Sequence, residues 1–136
     1  MTWLLDTNVV SELRKGDRAN AGVRRWSVGR EDAAFISVLT VGEIRRGIAR
    51  RRRRDEVAAR RLDVWLEGLR TSFASRILPV DERVADIWGR LNVPDPVPTV
   101  HGLIAATALV HDLTLVTRNV ADVARTGVRV FDPFVG

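Results

Sequence analysis

Short apolar runs alternate along the chain with longer stretches in which apolar residues recur every three or four positions. The short runs predict five strands, at residues 3–5, 34–36, 77–80, 113–117 and 128–131. The longer stretches predict helices, of which the clearest run from Glu56 to Ser72 and from Val100 to Val110. Strands that alternate with helices are typical of an α/β fold, in which a parallel sheet is covered on both faces.

Polar residues mark where several of these helices begin. Thr7 and Asn8 are expected to cap the helix after the first strand. Ser37 is expected to open the helix after the second strand, and Asp81 the helix after the third. Residues 92–99 hold three of the five prolines, which predicts a loop.

Three acidic residues follow predicted strands closely. Asp6 ends the first strand, Glu43 lies in the helix after the second, and Asp122 follows the fourth. Each has an ordinary explanation when it is taken alone: a helix cap for Asp6, an ion pair with Arg46 or Arg50 for Glu43, and a loop position for Asp122. In parallel sheets, however, ligands bind beside the carboxyl ends of the strands. Clustered carboxylates there favour hard cations such as Mg²⁺ or Mn²⁺, which serve phosphodiester hydrolysis.

Composition excludes several other kinds of site. The 136 residues include no cysteine and only two histidines, which excludes disulfides, thiol nucleophiles and Cys-rich or His-rich zinc sites. The only lysine, Lys15, lies outside the Gly-Lys-Ser/Thr pattern of a P-loop. No apolar stretch approaches the roughly 20 residues that span a bilayer, and the first residues lack the basic segment of a signal peptide. We therefore expect a cytoplasmic protein that does not enter a membrane.

Four sequence segments together point to a known family. They read LLDTNVVSE at 4–12, SVLTVGEIRRG at 37–47, LIAATAL to LTLVTRNVAD across 103–122, and GVRVFDP at 127–133. In this order they resemble the PIN-domain ribonucleases, specifically the VapC-type toxins of bacterial toxin–antitoxin pairs, including the FitB-like branch. One fragment alone is a weak signal, whereas four in order over nearly the whole chain are specific.

The resemblance implies a fold, an activity and a partner. The fold is a single PIN domain over residues 1–136, a three-layer α/β/α structure with a short central parallel sheet. The activity is cleavage of RNA, usually tRNA or rRNA, with Mg²⁺ or Mn²⁺. The partners implied are a second copy of the chain in a homodimer and a cognate VapB-type antitoxin in a heteromeric complex. An exposed apolar groove beside the arginine-rich helix is expected to take an amphipathic segment of that antitoxin.

The resemblance also implies roles for individual residues. By position, Asp6 and Glu43 match the first two metal-binding acids of the family. Asn119 lies where many members have another acid or an asparagine, and Asp122 is the nearby carboxylate. The residues that match polar supports of the acid cluster are Asn8 and Thr117.

One position departs from the family pattern. Two residues before the LIAA segment, where members usually carry an aspartate as the third metal ligand, this chain has His101. His101 could be a working ligand that shifts the preference toward Mn²⁺. It could instead impair the site and leave a protein that acts by binding. In a third interpretation, a neighbouring carboxylate such as Asp95 takes over the role. The three interpretations are open at this point.

Arginine supplies nearly all of the positive charge behind the net charge of +5, and residues 50–54 are five consecutive arginines. Runs of charge are commonly solvated helix faces. Arg46, Arg50 and Arg54 nevertheless fall on roughly the same side of the predicted helix as Glu43, and guanidinium groups suit phosphate. We therefore expect these arginines to bind the RNA backbone or an acidic segment of an antitoxin.

Two other enzyme classes also begin with a strand that ends in aspartate. Haloacid-dehalogenase-type phosphatases carry a second aspartate two residues later, where this chain has Asn8. Response-regulator receivers use a lysine late in the chain, and no lysine follows Lys15. Both classes are therefore disfavoured. The serious rival to a nuclease is a non-enzymatic protein of the same fold that binds an antitoxin or RNA.

Overall fold

The structure is a computed structural model that describes residues 1–135. Within this range, five short strands form the sheet: β1 Trp3–Leu5, β2 Ala34–Ser37, β3 Ile77–Leu78, β4 Thr114–Val116 and β5 Val130–Phe131. All neighbouring strands are parallel, and their order is β3-β2-β1-β4-β5. Because β1 is central, the carboxyl ends of β2, β1 and β4 lie side by side at one edge of the sheet.

Seven α-helices of residues 1–135 surround this sheet: α1 Thr7–Leu13, α2 Ala21–Ser27, α3 Val38–Arg52, α4 Glu56–Ser72, α5 Glu82–Leu91, α6 Thr99–Val110 and α7 Val120–Val123. Helix α4 packs on α3, and α5 packs on α6. In the part of the chain that is described, no helix has the length and apolar character needed to cross a membrane.

Side chains that alternate along the strands build a core on each face of the sheet. Leu4 packs with Ile104 of α6 and with Leu115 in one buried cluster. The next residue, Leu5, points to the opposite face and packs with Val9 and Ile36 in the second cluster. Helices α1 to α4 cover this second face and α6 covers the first, which confirms the predicted three-layer α/β/α architecture.

The predicted elements are present, and the differences lie at strand ends. Helix α4 has the predicted bounds, because its apolar stripe begins after the capping residue Asp55 and continues to the last turn. Strand β3 ends at Leu78 and not at residue 80, since Pro79 has no N–H to continue the ladder. Strands β4 and β5 are each two residues shorter than predicted, because the apolar runs extend beyond the residues that pair with a neighbouring strand.

The last described residues pack closely against the start of α2. A Cβ atom at Gly22 would overlap the carbonyl oxygen of Pro133. The backbone N–H of Phe134 donates to Asp132 Oδ1 at 2.8 Å, and the Phe134 ring packs against the larger core cluster. The absence of a side chain at Gly22 is therefore what lets this terminal segment approach α2.

We expect Gly22→Ala to destabilise the protein by about 1–2 kcal/mol. Overpacking costs about 1–3 kcal/mol, whereas replacing glycine by alanine in a helix gains about 1 kcal/mol. Urea unfolding measures the difference. The matched control is Gly89→Ala in α5, where the new methyl group meets no atom within 4 Å and should be neutral or stabilising. Equal unfolding midpoints for the two variants would contradict the expectation.

Candidate active site

Asp6 lies directly after β1 and is only 3% exposed. Its Oδ1 accepts a hydrogen bond from the backbone N–H of Thr7 at 2.8 Å, and Asp6 is the N-cap of α1. The prediction that Thr7 and Asn8 cap this helix was wrong, because Thr7 is already the first helical residue, whereas Asp6 has the extended backbone of a cap. The cap uses one carboxylate oxygen, Oδ1, and leaves the other, Oδ2, to accept hydrogen bonds from other residues.

The turn after β4 and the first turn of α1 each supply one hydrogen-bond donor to Asp6 Oδ2. The Thr117 hydroxyl donates to it at 2.8 Å, and the Asn8 amide donates at 3.4 Å. The backbone N–H of Asn119 in turn donates to Thr117 Oγ1 at 2.9 Å. Because the Thr117 oxygen already accepts this hydrogen bond from Asn119, the hydroxyl's own proton is directed at Asp6 Oδ2. These bonds hold the buried carboxylate in one orientation.

Glu43 reaches the same edge of the sheet through Thr7. The Thr7 hydroxyl donates to Glu43 Oε1 at 2.6 Å, and the Thr40 hydroxyl lies 3.0 Å from Thr7 Oγ1. Since the single Thr7 proton is used on Glu43, Thr40 is the donor in the second bond. Thr7 directly follows Asp6, so this hydrogen bond connects Glu43 of α3 to the residue next to Asp6.

His101 lies near the start of α6, between two carboxylates. Its Nδ1 is 3.7 Å from Asp6 Oδ2, and its Nε2 is 3.6 Å from Asp122 Oδ2. Nδ1 is buried and has no hydrogen-bond partner among the described residues. The Asp122 side chain, on the short helix α7, is 46% exposed. The imidazole ring therefore separates a buried acid from an exposed one, with one nitrogen facing each.

Asp6 and His101 together fit a divalent cation. Asp6 Oδ2 and His101 Nδ1, which lie 3.7 Å apart, are the two atoms that would hold the ion. His101 Nδ1 also has no competing partner in the described range, so it is available as a ligand. A mixed oxygen and nitrogen pair suits Mn²⁺ better than Mg²⁺, which prefers oxygen. The donor chemistry thus matches the metal that the family resemblance implies.

The structure does not bring the whole predicted ligand set of Asp6, Glu43, His101, Asn119 and Asp122 into one cage. Among the His, Asp and Glu side chains of residues 1–135, no three converge to hold one ion. The two nitrogens of His101 point to different carboxylates, and one ion can use only one of them. Asn119 joins the hydrogen-bond network through its backbone N–H. Asp95 is 74% exposed and faces Arg125 at 3.9 Å, so its position does not support it as a replacement ligand.

Several arginines near the end of α3 are already engaged by acids. Arg45 donates to Asp63 Oδ1 at 2.7 Å, and Arg52 binds the other oxygen of the same carboxylate. The Arg45 hydrogen bond, with the nearby charge of Arg52, holds the pKa of Asp63 below its ordinary value. Arg51 lies 3.6 Å from Asp55. By contrast, Arg46, Arg50 and Arg54 are exposed and form no ion pair with any residue in the described range.

A groove of about 380 Å³ runs from Glu43 along these arginines. Arg50 and Arg54 line it together with Arg14, which directly follows α1, while Arg46 is exposed outside it. Gly47 lines it as well and narrows it little, having no side chain. We call this the arginine groove. A chain of phosphates or carboxylates could lie in it and end at the acid cluster.

A second groove, of about 470 Å³, continues from the first between α1, α2 and α4. Arg14 and Trp65 line both grooves, so the two form one surface. Most of the second groove is apolar, and its walls include Leu13, Trp26, Leu69 and Phe73. This apolar groove lies beside the arginine-rich helix, where an apolar groove is predicted from the sequence.

Two residues of this site, Thr7 and Arg118, escape prediction from the sequence. Thr7 hydrogen-bonds Thr40 and Glu43, which are 33 and 36 residues away, so no local pattern reveals the contact. The backbone N–H of Arg118 donates to Asn8 Oδ1 at 3.2 Å. Arg118 lies between Thr117 and Asn119, both of which were predicted, and this adjacency is the one signal in the sequence that could have identified it.

A parallel sheet with acids at its carboxyl edge, flanked by an arginine groove, gives an α/β protein with a candidate site whose chemistry suits phosphodiesters. Residues 3–127 match the family model described as PIN domain, and the chain belongs to the PIN-domain family. The resemblance to PIN-domain toxins is therefore confirmed.

Individual relatives place the chain within this family. Toxin FitB of Neisseria gonorrhoeae is 36% identical over an alignment of 140 positions, which covers 96% of this chain and 97% of that protein. The VapC ribonuclease Y4jK of Sinorhizobium fredii is 29% identical over 96% of each chain. The crystal structure of FitAcB from Neisseria gonorrhoeae matches with a TM-score of 0.83 at 32% identity, covering 99% of this chain and 100% of that chain.

Proposed function

We propose that this chain is the toxin of a toxin–antitoxin pair and acts as a metal-dependent endoribonuclease on structured RNA such as tRNA or rRNA. The observation that carries the proposal is the buried Asp6 carboxylate, whose Oδ2 faces the unpartnered Nδ1 of His101 at 3.7 Å. The names of its relatives, a toxin and a ribonuclease, support it. A cytoplasmic location, where such RNA is found, belongs to the same proposal.

The chemistry follows from the positions of the acids. When bound, Mg²⁺ or Mn²⁺ polarises the scissile phosphate and activates a water molecule for in-line attack. Asp6 and His101 would hold the ion, and the α1 cap and Thr117 keep Asp6 from rotating. Glu43 uses Oε1 on Thr7, and its Oε2 has no hydrogen-bond partner within residues 1–135, so Oε2 can accept the proton of the attacking water. Asp122 orients the imidazole from the opposite side.

Arg50 and Arg54 bind the substrate through its phosphates. Both line the groove that ends at Glu43, and neither is neutralised by an acid in the described range. Contacts of this type position RNA without reading its sequence, and they make the affinity fall as salt rises. The arginine groove therefore determines where the backbone lies relative to Asp6, but not which bases are chosen.

The proposal predicts that the purified chain cuts total RNA into discrete fragments in Mn²⁺, and more slowly in Mg²⁺. Chelation by EDTA should stop the reaction. Because water and not the ribose 2′-hydroxyl is the nucleophile, the products should lack a 2′,3′-cyclic phosphate, and a 2′-deoxy substitution at the cleaved position should be tolerated. Absence of cleavage in both metals would contradict the proposal, and cyclic-phosphate products would indicate a contaminating or different nuclease.

The proposed partner is a VapB-type antitoxin whose amphipathic segment lies in the apolar groove between α1, α2 and α4. The apolar walls of this groove suit the apolar face of such a segment. Because Arg14 and Trp65 continue the surface into the arginine groove, the same segment can extend toward Glu43 and exclude RNA. The homodimer that the resemblance implies stays a prediction.

The second candidate function is an impaired PIN domain that acts mainly by binding its antitoxin or RNA. It is favoured by the position of His101, which places an imidazole between Asp6 and Asp122 where family members usually have a third carboxylate. A neutral imidazole adds no negative charge for a hard cation. Under this alternative the arginine and apolar grooves keep their roles while cleavage is lost.

A further inference from the structure

Arg118 presents a cation next to the acid cluster. It directly follows Thr117, whose hydroxyl donates to Asp6, and its own backbone N–H donates to Asn8 at 3.2 Å. The side chain is exposed, and within residues 1–135 no carboxylate lies in ion-pair distance of its guanidinium. Backbone hydrogen bonds therefore fix the start of this side chain, while no carboxylate of the described residues contacts its charge.

The end of the described chain holds the Arg118 side chain in place. Its guanidinium carbon lies 3.9 Å from the centre of the Phe134 ring, in the geometry of a cation–π contact. Phe134 is itself anchored by its bond to Asp132 and by packing on the core. A long side chain that is ordered in advance loses less conformational entropy when it binds a ligand. The stack therefore prepares Arg118 for a contact.

Glu12 is the acid whose electrostatics Arg118 affects, and it is already occupied. The backbone N–H of Asn20 and the ammonium of Lys15 lower the pKa of Glu12, to which the Arg118 charge adds a smaller contribution. Glu12 accepts from Asn20 at 2.8 Å and from Lys15 at 3.0 Å. Glu12 is bound by Asn20 and Lys15 and lies beyond ion-pair distance of Arg118, so the guanidinium is available to an external anion.

The sheet places Arg118 opposite the arginine groove. Glu43 and the arginines of α3 follow β2, whereas Arg118 follows β4. Between these strands lies β1, which is followed directly by Asp6. An RNA backbone that crosses the carboxyl edge of the sheet at Asp6 would thus meet cations on both sides of the acids. Cations on both sides would hold the scissile phosphate over the acids.

We propose that Arg118, held on the Phe134 ring, binds a phosphate of the RNA backbone on the β4 side of Asp6. This inference rests on the proposed function and extends it, because it assigns the second half of the RNA path to a residue outside α3. The proposed ligand is the phosphodiester of RNA, since an exposed guanidinium beside a phosphodiester-type site matches that chemistry.

Binding of fluorescein-labelled bulk tRNA, followed by fluorescence anisotropy in EDTA over a series of salt concentrations, tests the inference. We expect Arg118→Gln to bind about tenfold more weakly. Its plot of log affinity against log salt should lose about 0.7–0.9 in slope, as expected for one lost phosphate contact. Arg118→Lys should keep the slope, because it keeps the charge. Phe134→Leu should also keep the slope and weaken binding by about two- to fivefold, through the lost stacking.

The matched control is Arg83→Gln, which removes the same charge in the first turn of α5. Arg83 lies with Leu109 and Val110 at the opposite end of α6 from His101, so its loss should leave the slope unchanged. Thermal melting of every variant separates lost contacts from lost folding. Equal slopes for Arg118→Gln and Arg83→Gln overturn the inference.

Two other outcomes separate the inference from the proposed function. If the unaltered chain does not bind RNA at all, the proposed function fails and takes the inference with it. If Arg118→Gln binds RNA normally but no longer co-purifies with its antitoxin, Arg118 belongs to a protein interface and the inference is overturned. A reduced slope in Arg50→Gln together with an unchanged slope in Arg118→Gln would retain the proposed function and reject the inference alone.

Discussion

Asp6→Asn should abolish RNA cleavage, lowering the rate at least about a thousandfold, while the chain stays folded. Charge stabilisation by a bound metal is worth several kcal/mol, and about 1.4 kcal/mol corresponds to a factor of ten in rate. Asparagine keeps an oxygen that can accept the Thr7 N–H, so the cap of α1 survives. What is lost is the negative charge that Thr117 and Asn8 orient toward His101.

Asp81→Asn is the matched control for this substitution. Asp81 caps α5 by accepting the backbone N–H of Val84 at 3.0 Å, and α5 is not part of the acid cluster. Asp81→Asn therefore changes the same chemical group in the same capping role as Asp6→Asn, and it should leave RNA cleavage intact. Calorimetric titration with Mn²⁺ should show weakened binding for Asp6→Asn only. Cleavage by Asp6→Asn at a rate comparable to the unaltered chain would show that the reaction does not use this carboxylate.

The sequence predicts the framework of the site because that framework depends on short-range patterns. Apolar runs place the strands, and a polar residue at the end of such a run falls at the carboxyl edge of a parallel sheet, as Asp6 does. Helical spacing likewise places Glu43 and Arg50 along one groove, which also reaches Arg54 just after α3. These features require only the period of a strand or a helix and the direction of the chain.

The remaining features depend on contacts between distant parts of the chain. From the sequence, the Thr7 hydroxyl could either cap a helix or donate to a distant residue. It donates to Glu43 because the fold brings α3 close to Thr7. The stack of Arg118 on Phe134 requires the terminal segment to pack against α2 at Gly22. The orientation of His101 depends on how α6 meets α7, so the sequence shows the missing carboxylate but not that the ring faces two acids.

His101→Asp should bind Mg²⁺ at least about tenfold more tightly than the unaltered chain and cut RNA faster in Mg²⁺. The substitution puts a negative charge near the present position of Nδ1, which lies 3.7 Å from Asp6 Oδ2. Two unit charges 4 Å apart interact by about 4 kcal/mol at an effective dielectric constant of 20, so a third of that energy already gives a tenfold change in affinity. The same charge should lower the melting temperature in the absence of metal, because clustered carboxylates repel one another. Added Mg²⁺ should restore the melting temperature, because the cation binds between the carboxylates of the folded chain.

His101→Asn separates the two effects that His101→Asp combines. Asparagine removes the imidazole from between the acids without adding charge. A gain in Mg²⁺ affinity in both variants would mean that the ring obstructs the ion, whereas a gain in His101→Asp alone would mean that a charge is missing. Loss of Mn²⁺ binding in His101→Asn would instead identify Nδ1 as a working ligand, which its position opposite Asp6 Oδ2 allows. If neither variant changes the affinity for either ion, residue 101 is not a metal ligand, and the Asp6–His101 pair is not the cation site.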